Sequence, residues 1–209
     1  MDLMKDRTLA LALSRALEAE NSSERLQAAL TAGTHPDSAY LDPLLDRCAI
    51  EPDFYVRDML TWALTRLPLE IVLPRVLDET RSATSQARSQ ALHTLSKLGD
   101  ARGYEVITAE HLHDVDDEVA RAAWRAAAGL VPYDEREALA RLLVLELGRG
   151  DLTVMRSLSR AFVELGEAGL PALLAATLGE GDASREAVVK HAWATMRLLE
   201  DPEATFVLE

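Results

Sequence analysis

Apolar residues recur every three or four positions along most of this chain, the spacing of a single helix face. The plainest stripe is Val56, Leu60, Ala63, Leu64 and Leu67. It returns as Ala87, Ala91, Leu95 and Leu98, as Ala120, Trp124, Ala127, Ala128 and Val131, and as Val154, Leu158, Ala161, Phe162 and Leu165. Pro68, Gly99, Pro132 and Gly166 close these four segments at intervals of 31, 33 and 34 residues, and Pro and Gly are helix stops. Another helical segment precedes each one, at 38–50, 69–80, 103–113 and 134–148. A single helix pair cannot bury such a stripe, whereas stacked neighbours bury it in a continuous core. The pattern therefore predicts an all-α chain of repeated helix pairs.

Aligned, the second segments read "YVRDMLTWALTRLP" (55–68), "QARSQALHTLSKLG" (86–99), "VARAAWRAAAGLVP" (119–132) and "VMRSLSRAFVELG" (154–166). Arg57, Arg88 and Arg121 share one place in this register, and Met155 followed by Arg156 takes it in the fourth. Prolines interrupt three of the apolar runs, at Pro43, Pro74 and Pro171. A helix with an internal proline, an Asp-bearing turn and a second helix of the form D-x-x-V-R resembles a HEAT repeat. "DFYVRDMLTWAL" carries the match best, and "DDEVARAAWRAA" and "DLTVMRSLSRAF" carry it with slips. The resemblance implies an α-α superhelix, a HEAT-repeat solenoid of about five to six helix pairs. It implies one domain over 1–209: a degenerate N-terminal cap at 1–37, about five repeats over 38–200, and a tail at 201–209. Phe206 and Val207 in that tail are expected to cover the last repeat's apolar edge.

Composition strengthens the helical reading and narrows the partners. Aromatic residues make up only 5% of the chain, and Leu and Ala dominate the apolar set, which favours helix over strand. Thirty-five acidic residues against 22 basic ones leave a net charge of -13. Nucleic-acid binding wants the opposite balance, so nucleic acid is an unlikely partner. A single cysteine, Cys48, rules out an intramolecular disulfide and reads as a small core residue. The amphipathic first segment is no signal peptide and no run reaches membrane-spanning length, so a cytoplasmic protein with no membrane association is expected.

Candidate chemistry is sparse. "EHLHD" holds Glu110, His111, His113 and Asp114, but histidines two apart diverge on a helix, where a metal site wants four. No phosphate loop, nucleophile elbow or zinc-protease motif occurs. No catalytic residue, metal or cofactor is therefore expected. The resemblance suggests that Arg57, Arg88 and Arg121 form a structural ladder with Asp53, Asp117 and Asp151, the carboxylates accepting from the guanidinium groups. It also places the second helices on a concave face, where off-stripe residues point into a groove. Trp124 aligns with Leu60 and reads as core. Trp62 lies one step off the stripe, either as a surface anchor or in an inter-repeat joint, and the register of Trp193 is open. Trp62, His93, Arg125, Arg156, Arg160 and Asp58 form the candidate contact set, rich in hot-spot residue types. The leading expectation is a noncatalytic module or scaffold holding a protein or peptide in that groove. The alternatives are a HEAT-like alkylpurine glycosylase-type DNA-repair protein and a chromophore-lyase subunit.

Overall fold

A computed structural model describes residues 2–178 and 183–208. Twelve α-helices and no strand occur among them. They are α1 (Asp2–Leu17), α2 (Ser22–Thr34), α3 (Leu41–Cys48), α4 (Phe54–Thr65), α5 (Leu69–Glu79), α6 (Ser85–Leu98), α7 (Ala109–Leu112), α8 (Asp117–Leu130), α9 (Arg136–Leu143), α10 (Leu152–Leu165), α11 (Leu170–Thr177) and α12 (Ala183–Glu200). Where the sequence suggests one domain over 1–209, the contacts divide the chain into two compact units, Met1–Leu98 and Gly99–Glu209. Each unit is an α-α superhelical stack of three helix pairs, with second helices packed on second helices: α2 on α4 on α6, and α8 on α10 on α12.

Capping sets where the second helices begin. Asp53 accepts from the Tyr55 and Val56 N–H groups at 2.9 and 3.1 Å. Asp151 does the same for Thr153 and Val154, and Asp116 for Glu118. Each cap satisfies orphan donors of a helix start and is worth about 1 kcal/mol. Residues 1–37, expected to be a degenerate cap, form a full helix pair. Its second helix is capped by Asn21, and Arg25 stands four residues beyond that cap, as Arg57 stands beyond Asp53.

The prolines divide by position. Pro43 and Pro171 lie in the first turn of α3 and α11, where a missing N–H costs nothing, and only Pro74 interrupts a helix interior. The segments 103–113 and 134–148 are less regular than the periodicity suggests. Ala101–Val106 and Val144–Glu146 are 3-10 turns, leaving α7 one turn long. The β-branched run Val106, Ile107 and Thr108 is a poor helix former, and Thr108 is extended as the cap of α7. Trp124 compensates: it is fully buried, and its indole Nε1 donates to the Leu112 carbonyl at 2.8 Å.

The first unit is tied together at the turn before Asp53. Glu51 is fully buried. Its carboxylate accepts a two-pronged guanidinium fork from Arg25 at 2.7 and 2.8 Å, a third bond from Arg47 Nε at 2.7 Å and a fourth from the Asp53 N–H at 2.9 Å. Its carbonyl accepts from Arg57 and from Gln86 of α6, both at 2.9 Å. Burial alone would raise the Glu51 carboxyl, but the bonds from Arg25, the Asp53 N–H and Arg47 outweigh it and hold it at about 2, against 4.5 when free. The charged form is thus favoured by folding, so its contribution is complete above pH 4.5 and drains away as pH falls towards 2. Arg25→Leu, which leaves Glu51 with one cation, is expected to cost about 3–5 kcal/mol in urea unfolding at neutral pH. The same variant is expected to flatten the acid limb that wild type shows in that window.

Candidate interaction face

Counting from the caps gives the register that position the candidate residues share. Nine residues beyond Asp53, Asp116 and Asp151 stand Trp62, Arg125 and Arg160. His93 lies nine beyond Thr84, whose carbonyl takes the first bond of α6. One turn earlier, five beyond the caps, stand Asp58, Arg121 and Arg156. Thr61, Trp124 and Ser159, eight beyond, are all buried. Two sequence alignments are therefore corrected. Trp124 corresponds to Thr61 rather than to Leu60, and Arg121 is not the counterpart of Arg57 and Arg88.

The one-residue difference decides what an arginine does, because it turns a side chain about 100° around the helix. Arg25, Arg57 and Arg88 stand four residues beyond the helix start and bend back into the preceding turn. Their Nη1 atoms donate to the carbonyls of residues 19 and 20, 51 and 52, and 82 and 83 respectively, at 2.8–3.2 Å. In the second unit Ala120 and Met155 hold that place and are buried. Arg121 turns outward instead, donating to Ser157 Oγ on α10 at 2.9 Å and pairing with Glu118. The expected carboxylate ladder is replaced accordingly. Asp53 and Asp151 accept from N–H groups at their own helix starts. Asp117 does accept from an arginine, but from Arg149 of the next turn, at 2.9 Å. Arg149 also bonds Glu146 and the Asp114 carbonyl and lies 5.8 Å from the Trp124 ring, clamping two turns of the second unit.

In the first unit Trp62 does both things the sequence left open. Its ring lies on α2 at Gly33, where an added Cβ would come within 2.2 Å of Cζ3, yet 36% of the residue remains exposed. His93 is partly buried, with Nε2 4.0 Å from Asp58 Oδ1. In the second unit Arg125, Arg156 and Arg160 are exposed. Burial, then the positive charges of Arg121 and Arg160, lowers the Arg125 pKa against the opposing pull of Glu118. Arg156 lies 5.8 Å over the Phe206 ring. Phe206 is buried against Met155, Ala194 and Leu198, as the tail was expected to be, whereas Val207 stays 43% exposed.

His111 and His113 part company: the first accepts from the Thr108 N–H, and the second pairs with Glu146 at 2.6 Å. Burial pushes the Cys48 thiol up to about 12, which leaves it without thiolate character.

Two groups escaped the sequence reading. The Arg25–Glu51 pair was legible in part, since "NSSERLQAAL" sets Arg25 32 residues before Arg57. The other group carried no signal. His191, Ser159 and Thr195 are fully buried together. The His191 Nδ1 accepts the Gly148 N–H at 3.0 Å, so the ring proton sits on Nε2, between the Met155 carbonyl at 3.0 Å and Ser159 Oγ at 3.1 Å. That tautomer presents Ser159 with an N–H rather than a lone pair and cannot take its proton. Gly148, at φ 82°, supplies the left-handed turn that aims its N–H at the ring.

No protein-family model matches the chain, and no curated protein matches its sequence. Solved helical structures resemble it at low identity. An engineered protein matches 90% of this chain with 19% identity and a TM-score of 0.47, and the chain spans 57% of that protein's length. A chain from the structure of the complex of CpcE and CpcF of phycocyanin lyase from Nostoc sp. PCC7120 matches over 91% of this chain and 93% of its own, with 17% identity and a TM-score of 0.42. No helix among the described residues is long and apolar enough to cross a membrane.

Two expectations follow from these contacts. Gly33→Ala is expected to push Trp62 off α2, red-shifting tryptophan emission and costing about 1–3 kcal/mol, and Trp62→Ala in the same chain should recover most of that loss. Burial, against the bond to the Met155 carbonyl, lowers the His191 pKa from 6.5 to about 4. Folding thus favours the neutral ring, and stability present above pH 6.5 is expected to fall as pH drops towards 4. The full effect is about 3 kcal/mol, and His191→Gln should abolish it in chemical denaturation across that range.

Proposed function

We propose that this chain is a noncatalytic helical-repeat binding module that holds a protein or peptide on exposed positions of its second helices. The observation that carries the reading is the cap-anchored column. The same position is exposed as Trp62 on α4 of the first unit, and as Arg125 on α8 and Arg160 on α10 of the second, while the residues beside each are buried; on α6 it holds the half-buried His93. Rigid helices that repeat one outward position spread contacts over several elements at little conformational cost. Arg and Trp supply most of the affinity in such contacts. The reading is supported also by the chemistry of the buried Ser159–His191 pair, whose protons are committed to structure.

Affinity capture from native lysate tests it, comparing wild type with Trp62→Ala/Arg160→Glu. A protein retained by wild type and lost by the variant is the expected result. Equal retention by both, or recovery of nucleic acid in place of protein, would overturn the reading.

A further inference from the structure

The second unit carries a cationic face that the composition of the chain does not foreshadow. Arg121 and Arg125 on α8, and Arg156 and Arg160 on α10, stand five and nine residues beyond their caps. Four residues along a helix is about 6 Å, and packed helices lie about 8–10 Å apart, so the four arginine positions form a two-by-two array. Glu118 is the one carboxylate hydrogen-bonded to Arg121. Arg160 makes no hydrogen bond or ion pair among the described residues, and Arg156 touches only an aromatic ring. Asp151, the cap of α10, also feels the charge of Arg121, yet in a chain with 35 acidic residues against 22 basic ones four arginines grouped on two helices stand out electrostatically.

The burial pattern extends this face onto α12. His191 and Thr195 contact Ser159 of α10, and Ala194 and Leu198 pack with Met155. The side of α12 turned away from these residues carries Trp193, which is 55% exposed, and Arg197. The tail shows how such a surface handles a peptide. Residues 204–208 alternate inward and outward, with Phe206 buried between the exposed Thr205 and Val207. Arg156 lies over the Phe206 ring, and Arg197 Nη2 donates to the Val207 carbonyl at 2.8 Å. Two arginines of this face thus already grip consecutive residues of a non-helical segment, one through a side chain and one through the backbone.

We propose that the face formed by Arg121, Arg125, Arg156, Arg160, Trp193 and Arg197 binds an extended acidic segment of a partner protein. The proposal rests on the binding-module reading above and gives the partner its chemistry. An extended chain sets alternate side chains about 7 Å apart, a repeat that lets successive carboxylates meet successive arginines of the array in forked pairs. Trp193 offers an aromatic ledge at one side, where an apolar residue among the acids would rest. A nucleic acid would meet the same arginines, but its long run of phosphates would also meet the acidic remainder of the chain, whereas a short acidic segment need not reach past the array.

The test is fluorescence anisotropy on the full chain with a short fluorescein-labelled peptide of Asp and Glu around one Phe, across a salt series. The same peptide with Lys for the acids and a labelled single-stranded oligonucleotide are run beside it. Arg125→Glu/Arg160→Glu is compared with Arg66→Glu/Arg141→Glu, which makes the same charge change on exposed arginines off this face. Thermal unfolding confirms that both variants fold. Expected is binding of the acidic peptide alone, weakening steeply with salt, lost about tenfold or more in Arg125→Glu/Arg160→Glu and kept in the control pair. Trp193→Ala should weaken it severalfold. No binding of the acidic peptide to wild type, equal losses in the two charge variants, or tighter binding of the oligonucleotide would overturn the proposal. If the peptide fails while lysate capture still depends on Trp62 and Arg160, the module reading stands and the acidic partner falls.

Discussion

A carboxylate sealed from water is stable only if the protein supplies the bonds that water would have made. Glu51 is such a group, and the first unit is arranged around its demands. Its side chain draws Arg25 from α2 and Arg47 from the end of α3, and its carbonyl draws Arg57 from α4 and Gln86 from α6. One residue therefore fixes four helices to one turn. That turn delivers Asp53 as the cap of α4, the cap sets where α4 begins, and the start of α4 decides that Trp62 falls on Gly33. A local electrostatic need thus propagates into the placement of an exposed aromatic three turns away.

The second unit meets the same structural problem with other parts, and the difference creates its surface. Arg149 clamps its turns from the following loop, and Trp124 closes the end of α7. With those contacts in place, the position that holds Arg57 and Arg88 in the first unit can be apolar, and Ala120 and Met155 occupy it. The arginines one residue later face outward. A residue type that stitches backbone in one unit becomes a charged surface in the other. Small buried side chains support this. Ala122, Ala123, Ala126 and Ala127 are buried on α8, which packs on α10 within the same unit.

The buried polar groups also divide the two units by acid response. Glu51 needs its charge and His191 needs its neutrality. Both states are held by hydrogen bonds across helices, so each reports on the packing of its own unit.

Much of the architecture was legible in the sequence, because helix formation and pairing depend on local periodicity and on stop residues. Val56, Leu60 and Leu64 must share a face on any helix, and Pro68 must end it, whatever lies nearby. The repeat interval, the tail's role in covering an apolar edge with Phe206, and the presence of arginines near the helix starts follow from the same kind of reading. The partners of those arginines did not. Whether Arg57 meets a carboxylate or a carbonyl depends on where Asp53 points, and Asp53 serves its own helix start, two and three residues along the chain. The offset between Arg57 and Arg121 was hidden because alignment by residue type rewards matching arginines, whereas the chain is registered by its caps. The Ser159–His191–Thr195 group joins helices some thirty residues apart through contacts that leave no spacing to find. Local spacing is enough to dictate an all-α repeat and most of its apolar stripes, since those are properties of single helices. Which polar residues face inward, and which stand together on the outer face of α8, α10 and α12, only the packing of helix against helix decided.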